Sequence, residues 1–160
     1  MPTSRAIAIR KIISGGQTGA DRAALDFAIR QGIPHGGWCP RGRWAEDDEL
    51  ATRYHLTETP GAAPAQRTEW NVRDSDGTVI FSLSPTLAGG SKKTQDFARR
   101  YGKPCLHLSK EREGNDAAFK LKAFLRMHRI KVLNVAGPRH SGEPRVGSFV
   151  RSVLRRALSN

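Results

Sequence analysis

The stretch Ile12–Ala28, IISGGQTGADRAALDFA, decides the fold of this chain. Two β-branched apolar residues lead into a glycine-rich turn, and the residues after the turn place apolar side chains at helical spacing. Those apolar positions are Ala20, Ala23, Ala24, Phe27 and Ala28. The pattern predicts a strand over Ala8–Ser14, a tight turn, and a helix over Ala20–Gln31. A strand that enters a helix through a short turn is the repeating unit of α/β sheets.

The turn itself is a candidate anion site. Glycine allows the backbone to approach a ligand closely, and the start of a helix presents unpaired N–H groups with a partial positive charge. Phosphate groups commonly bind at such a place. Asp21, in the first helical turn, is predicted either to cap free N–H groups or to contact the ligand. The predicted binding residues of this turn are Gly15, Gly16, Gln17, Thr18 and Gly19; a plain tight turn is the alternative.

Composition indicates one domain over residues 1–160, with a core from about residue 8 to 158. No apolar run approaches the roughly 20 residues that cross a membrane, and the N-terminal MPTSRAIAIRK lacks a signal-peptide core. Cys39 and Cys105 lie far apart without a CxxC motif. These features predict a cytoplasmic protein with no membrane partner, no disulfide framework and no protein-ligated metal.

The chain is strongly basic, with 27 Lys and Arg residues against 15 Asp and Glu residues and a net charge of +12. Such a charge attracts nucleotides, oxyanions and phosphorylated cofactors. The basic residues are spread along the chain instead of forming a stripe with interleaved aromatic residues. Nucleic acid is therefore an unlikely partner.

Further strands and helices alternate along the rest of the chain. The predicted strands are Tyr54–Thr57, Thr78–Leu83, Cys105–Leu108 and Lys131–Ala136, and the predicted helices include Ala45–Leu50 as a single turn, Arg67–Asp76, and a closing helix with apolar residues from Val146 to Ala157. The apolar runs are typical of buried parallel strands. We therefore predict an α/β fold with a doubly wound, mostly parallel sheet flanked by helices.

Two other connections that follow a strand also contain glycine, as the first turn does. The segment Leu87–Thr94, LAGGSKKT, precedes a helix, and the last strand ends at Gly137. Right-handed crossovers place all such connections at the carboxyl edge of the sheet, where ligands bind. The predicted contacts from these segments are Gly89, Gly90, Ser91, Lys92, Thr94 and Gly137.

The segments between these connections supply five more candidates. Arg41 and Arg43 flank Gly42 and could clamp an anion with two guanidinium groups, or could be ordinary exposed arginines. Asn71, Asp74 and Ser75 precede a buried strand and could contact a base, a pterin or a ribose, or could close turns.

Several familiar active sites are excluded by spacing. The first turn approximates GxGxxG, but the acid expected about 20 residues later is replaced by His35, Gly36 and Gly37. LAGGSKKT lacks the GxxxxGK[ST] spacing of a P-loop, and no GxSxG motif is present. We identify no catalytic residue.

In order along the chain, SGGQTGADRAALDFA, GWCPRGRWAEDDEL, RTEWNVRDSDGTVI, GGSKKT with FARRYGKPCL, and LNVAGPR resemble the molybdenum cofactor carrier family. That family is a branch of the Rossmann-like superfamily that contains the lysine-decarboxylase-like LOG proteins. The resemblance covers nearly all of residues 10–155. It implies a homo-oligomer, a dimer or a tetramer, that binds and protects the molybdenum cofactor as cargo without catalysis.

The same superfamily offers an alternative. LOG-type enzymes hydrolyse the N-glycosidic bond of nucleoside 5′-monophosphates and carry PGGxGTxxE, whereas this chain has AGGSKKTQD with only Asp96 nearby. The departure argues against hydrolysis and preserves the phosphate-binding turn. A nucleotide-sensing module is a further alternative.

Overall fold

The computed structural model describes residues 9–159, so the predicted start of the first strand at Ala8 lies outside the described residues. Five parallel strands form the main sheet in the order β2-β1-β7-β5-β6. These strands are β1 (Lys11–Ile13), β2 (His35–Gly36), β5 (Gly77–Ser82), β6 (Cys105–Ser109) and β7 (Val132–Ala136). The predicted doubly wound α/β class is confirmed.

Helices cover both faces of this sheet. They are α1 (Ala20–Gln31), α2 (Pro64–Arg73), α3 (Gly89–Arg100), α4 (Lys110–Glu113), α5 (Ala117–Met127) and α6 (Val146–Leu158), with a 3₁₀ turn over Gly114–Asp116. Helix α6 packs between α1 and α5, and α2 packs against α3. Within residues 9–159, no helix combines the length and apolar character needed to cross a membrane.

A small parallel pair, β3 (Trp38–Cys39) with β4 (Thr57–Glu58), replaces the predicted strand Tyr54–Thr57. The predicted helical turn over Ala45–Leu50 is wrong, because this segment forms a loop with a bridge between Trp44 and Glu49. The Leu50 N–H donates to the Arg43 carbonyl at 2.8 Å, and the Ala45 N–H donates to the Asp48 carbonyl at 3.0 Å, so the backbone of this segment closes on itself without helical hydrogen bonds.

Apolar residues from the sheet and from α1, α5 and α6 form the main core, in which Phe81, Leu108 and Leu133 are fully buried. A smaller cluster that includes Cys39 and Leu50 lies beside β3. Since Cys39 is buried, burial raises the pKa of its thiol. Cys39 is therefore a packing residue in this fold.

Strand β7 lies between β1 and β5, so the connections after all three strands meet at one edge of the sheet. Helices α1 and α6 pack together after β1 and β7, whereas α3 follows β5 and packs with α2. A crevice opens where neighbouring connections leave in opposite directions, and such crevices are the usual ligand sites of open α/β sheets.

Asp76 joins the end of α2 to the central strand. Its carboxylate accepts hydrogen bonds from the backbone N–H groups of Lys131, at 2.9 Å, and Val132, at 2.8 Å. We expect Asp76→Ala to lower the free energy of unfolding by about 1 to 2 kcal/mol, because two donors lose a charged acceptor. Urea unfolding would measure the loss, with Asp48→Asn in an exposed loop as the control; an unchanged midpoint would contradict the prediction.

Candidate functional site

A cavity of about 480 Å³ opens at the carboxyl edge, between the connections after β1, β5 and β7 and the first half of α2. This volume is within the range of small-molecule sites. Of the predicted contacts, the structure places Gly15, Gln17, Asp21, Asn71 and Gly137 on its wall, together with Gly89, Gly90, Ser91 and Thr94 at the start of α3.

The start of α3 lines the cavity without a side-chain cap. Gly89 and Gly90 belong to the helix and not to a loop, and no side chain caps the first turn, whose N-cap is Ala88. A Cβ added at either glycine would meet no atom within 4 Å, so these amides border open space. The Thr94 hydroxyl donates to the Gly90 carbonyl at 2.9 Å. The first N–H groups of a helix have no partner within the helix, and such groups can bind an anion.

The glycine turn before α1 is instead filled by the protein itself. The Ala20 N–H donates to the Pro138 carbonyl at 3.2 Å, and the Gln17 N–H donates to Asp21 at 3.3 Å. Gly16 has φ +82°, and a Cβ there would lie 2.8 Å from Leu50. A Cβ at Gly19 would lie 2.5 Å from the Pro138 carbonyl. These glycines permit close packing of the turn against Leu50 and against the connection after β7.

Three basic residues on the cavity wall were not predicted from the sequence as contacts: Arg67 on α2, Lys93 on α3 and Arg139 after β7. Arg67 donates from Nη1 to the Gly15 carbonyl at 2.8 Å and so ties α2 to the first turn. Arg67 could have been suspected, because it is the first residue of the RTEWNVRDSD stretch, which carries part of the family resemblance. Lys93 was missed because the sequence does not show which of Lys92 and Lys93 faces the cavity. This follows only when α3 is known to begin at Gly89.

Asp21 is the one carboxylate on the cavity wall in the described part of the chain, and its side chain is 7% exposed. Burial raises its pKa to about 6, against the lowering effects of Arg67 and of the hydrogen bond from Gln17. A carboxyl group with this pKa can change its protonation state near neutral pH.

Asn71 lies on the wall, but both ends of its side-chain amide are occupied. It accepts from the Trp38 N–H at 2.8 Å and donates to the Trp38 carbonyl at 3.0 Å. Asp74 accepts from the Trp38 indole at 2.7 Å, and Ser75 donates to the Val72 carbonyl at 2.9 Å. Asp74 and Ser75 lie outside the cavity wall. Asn71 and Asp74 connect α2 and its end to β3, and Ser75 stabilises the turn that follows α2.

The remaining predicted contacts also point elsewhere. The Thr18 hydroxyl donates a hydrogen bond to the Glu46 carboxylate and accepts one from the His140 N–H at 3.0 Å. These bonds connect the turn before α1 to the loop that contains Glu46 and to the connection after β7. The Arg43 guanidinium donates to carbonyl oxygens of the segment from Leu50 to Leu56, and Arg41 lies exposed in the preceding turn. Lys92 pairs with Asp96 at 2.6 Å on the outer side of α3, so neither charge reaches the cavity.

Glu46 is the anchor of this loop closure. Its carboxylate accepts from the Ser141 hydroxyl at 2.6 Å and from the Ser141 N–H at 3.0 Å. These bonds, with that from Thr18, lower the pKa of Glu46 to about 2. The connection after β7 is thereby held in place beside the cavity. Within residues 9–159, no group of three or more His, Cys, Asp or Glu side chains is placed to hold a metal ion.

The parallel sheet and its edge cavity define a Rossmann-like ligand-binding protein. The model of the circularly permutated YpsA SLOG family matches residues 12–158, and the chain belongs to this family. A crystal structure named "Putative molybdenum carrier protein", from Syntrophus aciditrophicus SB, is 50% identical and superposes with a TM-score of 0.93. The match covers 95% of this chain and 96% of that chain. No curated protein matches the chain.

Proposed function

We propose that this protein binds a phosphorylated small molecule without transforming it, and that the molybdenum cofactor is its cargo. The uncapped start of α3, which faces a cavity of about 480 Å³, carries the proposal. Bare N–H groups and a helix dipole stabilise a phosphate or an oxyanion at such a place. The Syntrophus structure is named as a molybdenum carrier, which supports the choice of cargo.

The donor set around the cavity fits the anionic end of that cargo. Arg67, Lys93 and Arg139 add three positive charges to the wall, against the single carboxylate of Asp21. Gly89 and Gly90 allow the phosphate to approach the backbone without a Cβ in the way. We assign the phosphate to the α3 amides and to these basic side chains. Homo-oligomerisation and a cytoplasmic location remain predictions.

The test mixes the purified protein with freshly released molybdenum cofactor and separates bound from free material by gel filtration. We expect pterin fluorescence and molybdenum, measured by mass spectrometry, to elute with the protein, and inorganic phosphate to compete. Bound cofactor should also lose its molybdenum more slowly than free cofactor. Elution of all pterin in the free fraction would refute the carrier proposal. Light scattering of the same fractions measures the oligomeric state.

Hydrolysis of a nucleoside 5′-monophosphate is the second candidate, and the position of Asp21 favours it over a mechanism through Asp96. Asp96 is held by Lys92 outside the cavity, whereas Asp21 lies on the wall with a pKa raised to about 6. A carboxyl group of this kind can act as a general acid. Release of ribose 5-phosphate from AMP would support this candidate, and absence of turnover would remove it. Tight nucleotide binding without turnover or pterin binding would favour a sensing module.

A further inference from the structure

Outside the start of α3, the buried polar side chains that the described residues place on the cavity wall are Asp21, Asn134 and Asn71, and both ends of the Asn71 amide are occupied by Trp38. Asp21 is 7% exposed and Asn134 is 2% exposed, and both lie on the cavity wall. Asn134 lies on β7 and pairs in register with both Ile13 of β1 and Thr78 of β5, whereas Asp21 follows β1 and α3 follows β5. Because neighbouring strands lie about 4.8 Å apart, β1 and β5 are about 10 Å apart. The cavity therefore has the start of α3 on the β5 side and Asp21 on the β1 side, with Asn134 between them; Asp21 and Asn134 are here called the polar subsite.

Both side chains of the polar subsite present acceptors. The Asn134 Nδ2 donates to the Thr78 hydroxyl at 3.1 Å, and its Oδ1 accepts no hydrogen bond from residues 9–159. Asp21 accepts one long bond from the Gln17 N–H at 3.3 Å. Arg67 directs Nη1 to the Gly15 carbonyl, and Asp21 forms no ion pair within the described chain. These acceptors are accessible from the cavity, where a ligand can supply the donors.

We propose that Asp21 and Asn134 recognise the 2-amino-4-oxo edge of a phosphorylated heterocycle, an edge that guanine and pterins share; this inference rests on the proposed function. That edge presents a ring N–H beside an amino group, which matches the two oxygens of a carboxylate in a bidentate, charge-assisted pair. The amide oxygen of Asn134 can accept the second amino hydrogen. Adenine presents a ring acceptor at the equivalent place, which a carboxylate repels.

Recognition of this kind needs the ionised form of Asp21. Since burial raises its pKa to about 6, the carboxylate predominates above neutral pH and is lost as the pH falls toward 5. The groups that face it are Arg67 from α2, Arg22 from α1, the Gln17 N–H, which donates to it, and the Ser14 hydroxyl, which donates to the Val135 carbonyl. Ligand selectivity should consequently decline in acid while the phosphate contacts at α3 persist.

The test measures binding of GMP, IMP and AMP to the whole chain by calorimetry at about pH 7.5, where Asp21 is ionised. IMP differs from GMP only in lacking the 2-amino group. We expect GMP to bind at least about tenfold more tightly than IMP or AMP, since a buried carboxylate loses a charged hydrogen bond. Asp21→Asn should remove this preference, whereas Asp48→Asn should keep it. In a parallel arm, 6-hydroxymethylpterin monophosphate separates a pterin ligand from a guanine nucleotide.

The outcomes separate this inference from the proposed function. Equal binding of GMP, IMP and AMP, with competition by inorganic phosphate, would overturn the polar subsite and leave the phosphate site intact. Retention of the GMP preference by the Asp21→Asn variant would overturn the role of Asp21. If neither inorganic phosphate nor any of the phosphorylated probes binds, the proposed function itself fails.

Discussion

Replacement of Gly90 by Asp should abolish phosphate binding and leave the fold intact. Gly90 lies in the first turn of α3, on the cavity wall, and its missing side chain would extend into open space. A carboxylate there places a negative charge on the surface that receives the phosphate. Like charges at a binding surface cost several kcal/mol, so we expect a loss of at least about a hundredfold in affinity for inorganic phosphate and GMP.

The Gly90→Asp variant should keep or gain stability, although it loses affinity for phosphate. An acidic residue in the first turn favours the helix dipole, and loss of a helical glycine reduces the entropy cost of folding. We expect the Gly90→Asp variant to be as stable as the original chain or up to about 1 kcal/mol more stable. Gly90→Asn has nearly the same shape without the charge and is the matched control in calorimetry. Equal phosphate affinity in Gly90→Asp and in the unaltered chain would contradict the assignment of the anion site to α3.

Replacement of Asp21 by Asn should stabilise the protein in a pH-dependent manner. Asp21 has a pKa of about 6 in the folded chain against 3.8 as its ordinary value. The folded state therefore binds this proton more tightly than the unfolded state, and the stability of the original chain falls as the pH rises from about 4 through 6. One pKa unit corresponds to about 1.4 kcal/mol, so the ionised group costs on the order of 3 kcal/mol above pH 6.

Asn resembles the protonated carboxyl group and can still accept the Gln17 N–H. Urea unfolding at about pH 8 should therefore show the Asp21→Asn variant to be more stable by up to about 3 kcal/mol, with no difference near pH 4. The exposed Asp48→Asn variant should differ by less than about 0.5 kcal/mol at both pH values. A constant difference across this pH range would show that the carboxyl group does not titrate with a raised pKa.

Local patterns in the sequence predicted the elements well where one strong signal marked each end. The helix α1 runs from Ala20 to Gln31 as expected, because the apolar spacing begins after Gly19 and Gly32 ends it in a left-handed conformation. Strand β5 differs from its prediction by one residue at each end, since the run from Thr78 to Phe81 is buried throughout. The parallel direction of the strands followed from the alternation of strands and helices along the chain, whereas their order in the sheet was not predicted.

The site was harder to predict from the sequence than the fold, because long-range contacts decide which polar groups remain free to bind a ligand. Both glycine segments had the composition of an anion site, but the Pro138 carbonyl and the Asp21 side chain occupy the first of them. Arg43 had the appearance of a clamp and instead binds carbonyl groups of its own loop. Asn134 could have been suspected, because a polar residue inside the apolar strand VLNVA requires a partner or a ligand.

The central position of β7 has a consequence for synthesis of the chain on the ribosome. Strands β1 and β5 are synthesised first, yet each pairs with β7. Strand β7 is complete only when synthesis has passed Ala136. Until then their inner edges lack a neighbour, and unpaired edges invite association with other chains. Contacts this distant in sequence also slow folding. Nascent chains arrested before β7 should accordingly be aggregation-prone and depend on chaperones more than the finished protein does.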